Sequence, residues 1–369
     1  MDVLRIRSSL SRCVGIGSFF IASVFLYAQN LSQIPRIQPA ELCVSSQLPK
    51  AIRFQEDVKR PNLVPFEGRK NKNSMEKAAG YLVYLSKRGY KSNRPYYQLK
   101  LGQFLLDLGR DACAHQTLYK FLNTGTQLYN TDIIDAPKTY DGLFRLALLT
   151  EMRILARNGN HAELDQFSGR MHPRNGYEHL LFAEICMLSG NEDSAHVHLE
   201  KACTNPDNHP EANWGASFIP MRASVMAYCM GESDFSKTCG EDLHKRGRNA
   251  EKWPQWQSAW RMINETLMLN KQSMPDFSKL KNGNYQGACV GFLDTLVVEI
   301  TITGESLKRI QVVRGKEDRP YSALEIIPQR IQSRHSLTVD CVTGATVTSS
   351  AIILAAAKAI TKSNASFIK

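Results

Sequence analysis

From residue 340 to residue 352 the chain reads Asp-Cys-Val-Thr-Gly-Ala-Thr-Val-Thr-Ser-Ser-Ala-Ile. Thr343, Thr346, Thr348, Ser349 and Ser350 crowd hydroxyls around one glycine, Gly344, just ahead of an apolar run at 351–360. A small-residue loop entering a helix gathers free backbone N–H groups and the positive end of the helix dipole, a setting that suits a phosphate. Glycine at 344 takes backbone shapes that other residues resist. The plainer reading is a helix starting near 351 and capped by Thr348 or Ser349.

The elements that must position this loop are legible upstream. Residues 282–288, Asn-Gly-Asn-Tyr-Gln-Gly-Ala, form a turn-rich entry. Residues 295–302 are β-branched and partly alternating, and 309–313 repeat the pattern after a turn at 304–306, so the pair reads as a hairpin. Leu324, Ile327 and Ile331 mark a short amphipathic helix at 322–333, with Pro328 expected to interrupt or offset its first turn. Strand, strand, helix, loop and helix make a small α+β unit of roughly 90 residues, within the normal domain range.

The segment 282–362 resembles the FMN-binding domain carried by sodium-pumping NADH:quinone oxidoreductases and by Rnf complexes. It is most similar to the short form, which is also fused to some extracytoplasmic flavin-dependent reductases. The resemblance rests on the Asn-Gly-Asn-Tyr-Gln-Gly entry, on Ala-Leu-Glu-Ile-Ile-Pro at 323–328, and on residues 340–352. In that family a flavin transferase moves FMN from FAD onto a Thr hydroxyl within Asp-x-x-(Ser/Thr)-Gly-Ala-Thr. Asp340, Thr343, Gly344, Ala345 and Thr346 match, so the resemblance implies FMN on Thr346 through a phosphoester. For Thr348 and Ser349, contact with the phosphate and capping of the helix are both open. For Asp340, recruiting the transferase's metal and bracing the loop are both open. Family members often carry His-x-Glu-x-Pro-Gly after the second strand. Here the stretch is Gly315-Lys316-Glu317-Asp318-Arg319-Pro320-Tyr321, which keeps an acid at Glu317 but lacks the His and the Gly. The departure falls on a loop of flavin contacts, while the attachment motif is intact.

The N-terminus reads as an export signal. Arg5, Arg7 and Arg12 lead into or border the apolar run 13–28, which ends in Tyr27-Ala28, a possible cleavage point. The run has 16 residues, just short of the roughly 17–25 of a membrane span. Cleavage or a single N-terminal anchor both place the rest outside the cytoplasm, on the periplasmic or extracytoplasmic side. The full chain of 369 residues carries a net charge of +11, and residues 29–369 retain about +9. The basic residues are scattered, which argues for mild attraction to an anionic membrane surface or an acidic redox partner and against nucleic acid. Nine Cys form no CxxC, haem-attachment or zinc pattern; in an oxidising compartment some would pair, with Cys229–Cys239 and Cys289–Cys341 as candidate pairs among the many connectivities open.

Residues 29–74 are Pro-rich and read as a linker or arm. From 75 to 269 the pattern is helical. Leu108-Gly109-Arg110-Asp111-Ala112-Cys113-Ala114-His115 aligns with Ser189-Gly190-Asn191-Glu192-Asp193-Ser194-Ala195-His196, and a fainter copy surrounds Asn158-Gly159-Asn160. Such helix, Gly turn, helix units resemble tetratricopeptide repeats, with irregular spacing. His196 and His198 stand two apart and face different directions, a poor metal site, so no metal is expected. Trp256 and Trp260 share a helical face better suited to core or docking than to a ligand cage. A linker at 270–281 and the flavin domain at 282–369 complete the expected order after the signal at 1–28.

The fold class expected is thus α+β overall, an all-α tetratricopeptide-like domain followed by a small α+β FMN-binding domain. No Ser-His-Asp set or paired carboxylate dyad stands out, so no catalytic residue is assigned. The chain reads as a redox carrier or subunit rather than a self-standing enzyme. Its expected partners are a flavin transferase and a redox protein or membrane electron-transport component. The competing class is a non-redox scaffold with a degenerate or non-covalent flavin domain.

Overall fold

A computed structural model describes residues 72–89, 93–124, 140–169, 171–204, 212–247, 254–272, 274–317 and 322–365. The export signal, most of the Pro-rich arm and Trp253 lie outside these residues. Among the described residues come first the helices α1 (Lys72–Arg88), α2 (Arg94–Asp107), α3 (Asp111–Thr124), α4 (Tyr140–Arg157) and α5 (His161–Ser168). They continue with α6 (Gly176–Leu188), α7 (Glu192–Thr204), α8 (Ala212–Cys229), α9 (Ser233–Gly247) and α10 (Pro254–Leu269).

Four of the connections share one chemistry. Gly109, Gly159, Gly190 and Gly231 have φ of +74°, +69°, +78° and +82°. After each glycine the next amide reaches back five residues: Arg110 N–H to Leu105 O, Asn160 to Leu155, Asn191 to Cys186 and Glu232 to Ala227, at 2.8–2.9 Å. The glycine amide itself donates three residues back, which completes the Schellman ending of a helix. A Cβ added at any of the four would meet nothing within 4 Å, so the backbone conformation and not crowding calls for glycine. The turns join packed neighbours: α2 with α3, α4 with α5, α6 with α7 and α8 with α9. Ala183, Ala195, Ala202, Ala223 and Ala227 sit in one buried cluster with Leu180 and Leu199, where small side chains let helices approach closely. The same turn recurs at Gly231, without the Ala-His that follows Gly109 and Gly190 in the sequence.

The C-terminal domain opens with a three-stranded antiparallel meander, β1 (Gly283–Val290), β2 (Thr295–Thr303) and β3 (Ser306–Arg314). β2 alternates as expected, burying Leu296, Val298, Ile300 and Ile302. Gly304 and Glu305, both at positive φ, make the two-residue turn of a tight hairpin. The entry that looks turn-rich in sequence is a full strand, paired with β2 from Gly283↔Ile302 to Val290↔Thr295. Its glycines lower strand propensity, but pairing and packing override that preference. At Gly287 a Cβ would stand 2.0 Å from Ala355 O, so glycine here admits a helix against the strand.

That helix is α12 (Thr346–Ala365). It packs on β1 and β2 from one side and meets α8 and α10 of the helical domain from another. Residues 351–357 are all buried, as an all-round apolar helix requires. The other helix, α11 (Ser322–Arg334), packs on β3 and α12. Pro328 falls in its middle and does not interrupt it; Ala323, Ile326, Ile327 and Ile331 are buried around it and offset the proline cost of about 3 kcal/mol. The molecule is thus an all-α domain followed by a small α+β domain, and all described elements belong to one compact unit, Val44–Lys369. Among the described residues no helix is long and apolar enough to cross a membrane. The expected pairings Cys229–Cys239 and Cys289–Cys341 are not formed: Cys239 Sγ lies 3.4 Å from Cys203 Sγ instead, and no disulfide joins the described cysteines.

Candidate functional site

The loop between α11 and α12 turns at Gly344, φ +73°. Helix α12 begins at Thr346, five residues before the position expected from hydropathy. Thr348 and Ser349 therefore lie inside its first turns instead of capping it. Thr348 Oγ1 donates to Glu317 Oε2 at 3.0 Å, and Ser349 Oγ accepts from Val342 N–H at 3.2 Å. Thr348, Ser349 and Ser350 are buried, whereas Thr346 stays half-exposed at the helix start, as does Thr343 in the loop.

Asp340 is 1 % exposed and clasped by guanidinium groups from both domains. Arg153 Nη2 of α4 donates to its Oδ2 at 2.8 Å, Arg330 Nη1 of α11 stands 3.3 Å from the same oxygen, and Arg157 Nη1 stands at 3.9 Å. Burial alone would raise the carboxyl pKa, but Arg330, Arg157, Arg153 and Arg334 override it and hold the group far below the usual carboxylate range. Asp340 is an ionised brace in this arrangement, enclosed by its arginines.

The helical domain grips the whole loop. Arg153 Nη2 also donates to Cys341 O at 2.9 Å, and Arg222 Nη2 of α8 donates to Val339 O at 3.2 Å. Glu184 Oε1 of α6 accepts from Cys341 N–H at 3.0 Å and from Arg222 Nη2 at 2.8 Å. Asp107 of α2 accepts from Thr343 N–H at 3.1 Å and from Arg330 Nη2 at 3.2 Å. Sequence reading misses Asp107, Arg153, Glu184 and Arg222. Their only signal is a charge set inside an apolar helical run, as in Met152-Arg153-Ile154-Leu155 and Ala183-Glu184-Ile185.

These bonds correct one expectation. The amides of Cys341, Val342 and Thr343 already have side-chain acceptors, and Ala345 N–H donates to Val342 O at 2.9 Å. The loop amides that precede α12 are thus mostly engaged, and the donors left at this end of the loop are those of the first turn of the helix. Beside it lies a small cleft of about 60 Å³, lined among others by Thr346, Gly344, Thr343, Arg153, Arg222 and Tyr177.

Glu317, the acid kept in the altered loop, is buried and accepts from Phe292 N–H at 3.0 and 3.2 Å as well as from Thr348. Burial pushes its pKa up, and the Thr348 and backbone hydrogen bonds partly offset the rise. A Cβ at Gly291 would come within 2.1 Å of Glu317 Oε1, so glycine makes room for this carboxylate.

The helical histidines are engaged elsewhere. His198 Nδ1 meets His179 Nδ1 at 2.9 Å, and burial pushes the His198 pKa down to about 4. His196 pairs with Glu232 at 2.5 Å and Glu200 at 3.3 Å. Helix α10, which carries Trp256 and Trp260, packs on β1 and α12, and Ser258 Oγ donates to Phe292 O at 3.2 Å.

Residues 291–361 match the family model of the FMN-binding domain. The match takes in β2, β3, α11 and the motif loop with most of α12, and the helical domain lies outside it. The C-terminal domain is therefore an FMN-binding domain, and FMN is its cofactor. No curated protein and no solved structure matches the chain.

Proposed function

We propose that this protein is an exported electron-transfer flavoprotein that carries FMN as a phosphoester on Thr346 and uses its helical domain to dock a redox partner. The observation that carries the reading is selective exposure. Of the hydroxyls from Thr346 to Ser350, Thr346 alone escapes burial, and it lines the cleft at the start of α12. The helix dipole there favours an anion. The cleft has room for a phosphate but is far below the roughly 300–1,000 Å³ of a pocket enclosing a whole cofactor. The residues present fit an ester at the hydroxyl better than a flavin engulfed by protein.

In the attachment step Thr346 Oγ1 forms a bond to the FMN phosphorus of FAD, the pyrophosphate bond breaks and AMP leaves. The hydroxyl proton goes to a base of the transferase. When bound, FMN supplies one- and two-electron chemistry. The chain's own part is to tether, orient and tune. Asp340 and its arginines fix the loop, and Gly344 turns it so that Thr346 starts the helix. The apolar run at 13–28 supports export, where a tether prevents loss of a cofactor not made in that compartment. The glycine-turn hairpins support a tetratricopeptide-like docking surface. The test is co-expression of the signal-bearing chain with a flavin transferase, followed by in-gel flavin fluorescence after denaturation. A fluorescent wild-type band that vanishes in Thr346→Ala is expected; a dark wild-type band, or an unchanged band in the variant, sinks the covalent reading.

A further inference from the structure

We propose that the helical domain completes the flavin site, with Arg153 and Arg222 receiving the phosphate joined to Thr346. The inference rests on Thr346 as the attachment point and extends it to a site shared by two domains.

A phosphate at Thr346 needs donors, and beyond the first amides of α12 those of the preceding loop are mostly taken. The amides of Cys341, Val342, Thr343 and Ala345 are all engaged within the protein. The helical domain has donors to spare at the same cleft. Arg153 and Arg222 both line it, are 5 % and 2 % exposed, and each keeps a buried Nε–H with no hydrogen-bond acceptor. Glu184 Oε2 stands 3.5 Å from Arg153 Nε, beyond a good hydrogen bond. An unmet buried donor costs about 1–3 kcal/mol, so two in one cleft call for an acceptor.

Charge points the same way. Around the loop Arg153, Arg157, Arg222, Arg330 and Arg334 face four carboxylates, Asp107, Asp111, Glu184 and Asp340. One positive charge is left over in a largely buried cluster. A phosphodiester carries a single negative charge and balances it. Guanidinium is also the group best shaped for phosphate oxygens.

The test uses the full chain purified without a flavin transferase, with inorganic phosphate as probe and chloride at matched ionic strength as control. Phosphate is expected to raise the melting temperature by about 2 °C over chloride. Arg222→Lys keeps a cation opposite Glu184 but removes the Nε–H, and Arg153→Lys does the same beside Asp340; either is expected to lose most of the rise. Thr346→Ala is expected to keep it, because the arginines hold the anion. In the flavinylated chain, the ³¹P resonance of the ester should shift between folded and urea-unfolded protein, and shift less in Arg222→Lys. Phosphate that does no more than chloride, or a rise unchanged in both Lys variants, overturns the proposal. So does a folded ³¹P signal coincident with the unfolded one. A dark gel removes the covalent linkage but leaves the phosphate titration of the unloaded chain standing, so the two readings fail separately.

Discussion

The glycine turns of the helical domain and the glycine loop before α12 both bend the chain at a helix end, yet they are held by opposite means. At Gly109, Gly159, Gly190 and Gly231 the backbone bonds of the turn are local and the space around the glycine is empty. At Gly344 the loop is held by Arg153, Arg222, Glu184 and Asp107, through bonds that span 117 to 236 residues. A local turn depends on its own few residues. The site loop depends on the placement of a second domain, so damage in the helical domain should reach the site while damage in one turn should not.

The largest effect should come from Asp340→Asn, which leaves Arg153, Arg157 and Arg330 crowded without their shared anion. Breaking a buried pair in this way costs about 3–5 kcal/mol, readable as a fall in the urea midpoint. The pH dependence has a definite sign. The folded carboxyl pKa is depressed, so its stabilisation is present above the ordinary carboxylate range and is lost as pH falls through and below it. The variant should therefore show a shallower loss in acid. A cost below about 1 kcal/mol would erase the contrast between site loop and local turn.

Next in size is Gly287→Ala, where the new Cβ meets Ala355 O at 2.0 Å and Ala359 N at 2.7 Å. Backbone on both sides cannot swing away, so about 3 kcal/mol of overpacking is expected in a thermal or urea melt. Such a loss would confirm that the strand–helix contact, and not the glycine's flexibility, sets this position.

Legibility in the sequence follows the same division. The β2–β3 hairpin and three glycine turns are readable because their causes are local: alternation at 296–302, Gly304 in the turn, and glycine where φ is positive. β1 is not readable, because what rescues Gly283 and Gly287 as strand residues is pairing with β2 and the approach of α12. The start of α12 reads too late from hydropathy because Thr348 and Ser349 look like caps until Glu317 and Val342 are known as their partners. The motif 340–346 is legible through its resemblance to a family. Arg153 and Arg222 are not, since nothing near them in sequence shows that they meet residues 339–341.

A smaller effect tests how the altered loop supports the motif helix. Glu317→Gln keeps the shape but replaces one acceptor oxygen by an NH₂, whereas both oxygens of Glu317 take hydrogen bonds. About 1–2 kcal/mol should be lost near pH 4. Because burial raises the folded pKa of Glu317 above its ordinary value of 4.5, its contribution shrinks as pH rises through that value toward the raised one. The gap between wild type and variant should therefore narrow from pH 4 to 7. A gap that widens would mean that the ionised form is the one the fold prefers.

The smallest effect belongs to the local turns. Gly190→Ala places a Cβ at φ +78° with no atom within 4 Å, so the cost is backbone strain alone, about 1 kcal/mol. Gly231→Ala, at φ +82° in an equally empty turn, should cost the same. Among the described residues the two turns exchange no backbone hydrogen bond, and their side-chain link, His196 with Glu232, does not involve either glycine, so the double variant should lose the sum to within about 0.5 kcal/mol. Neither should move the ³¹P signal of a flavinylated Thr346, whereas Arg222→Lys, in the helix that ends at the Gly231 turn, should. Coupling between the two glycines, or a shifted phosphorus resonance in either variant, would show that the hairpins act on the site as one body rather than as independent units.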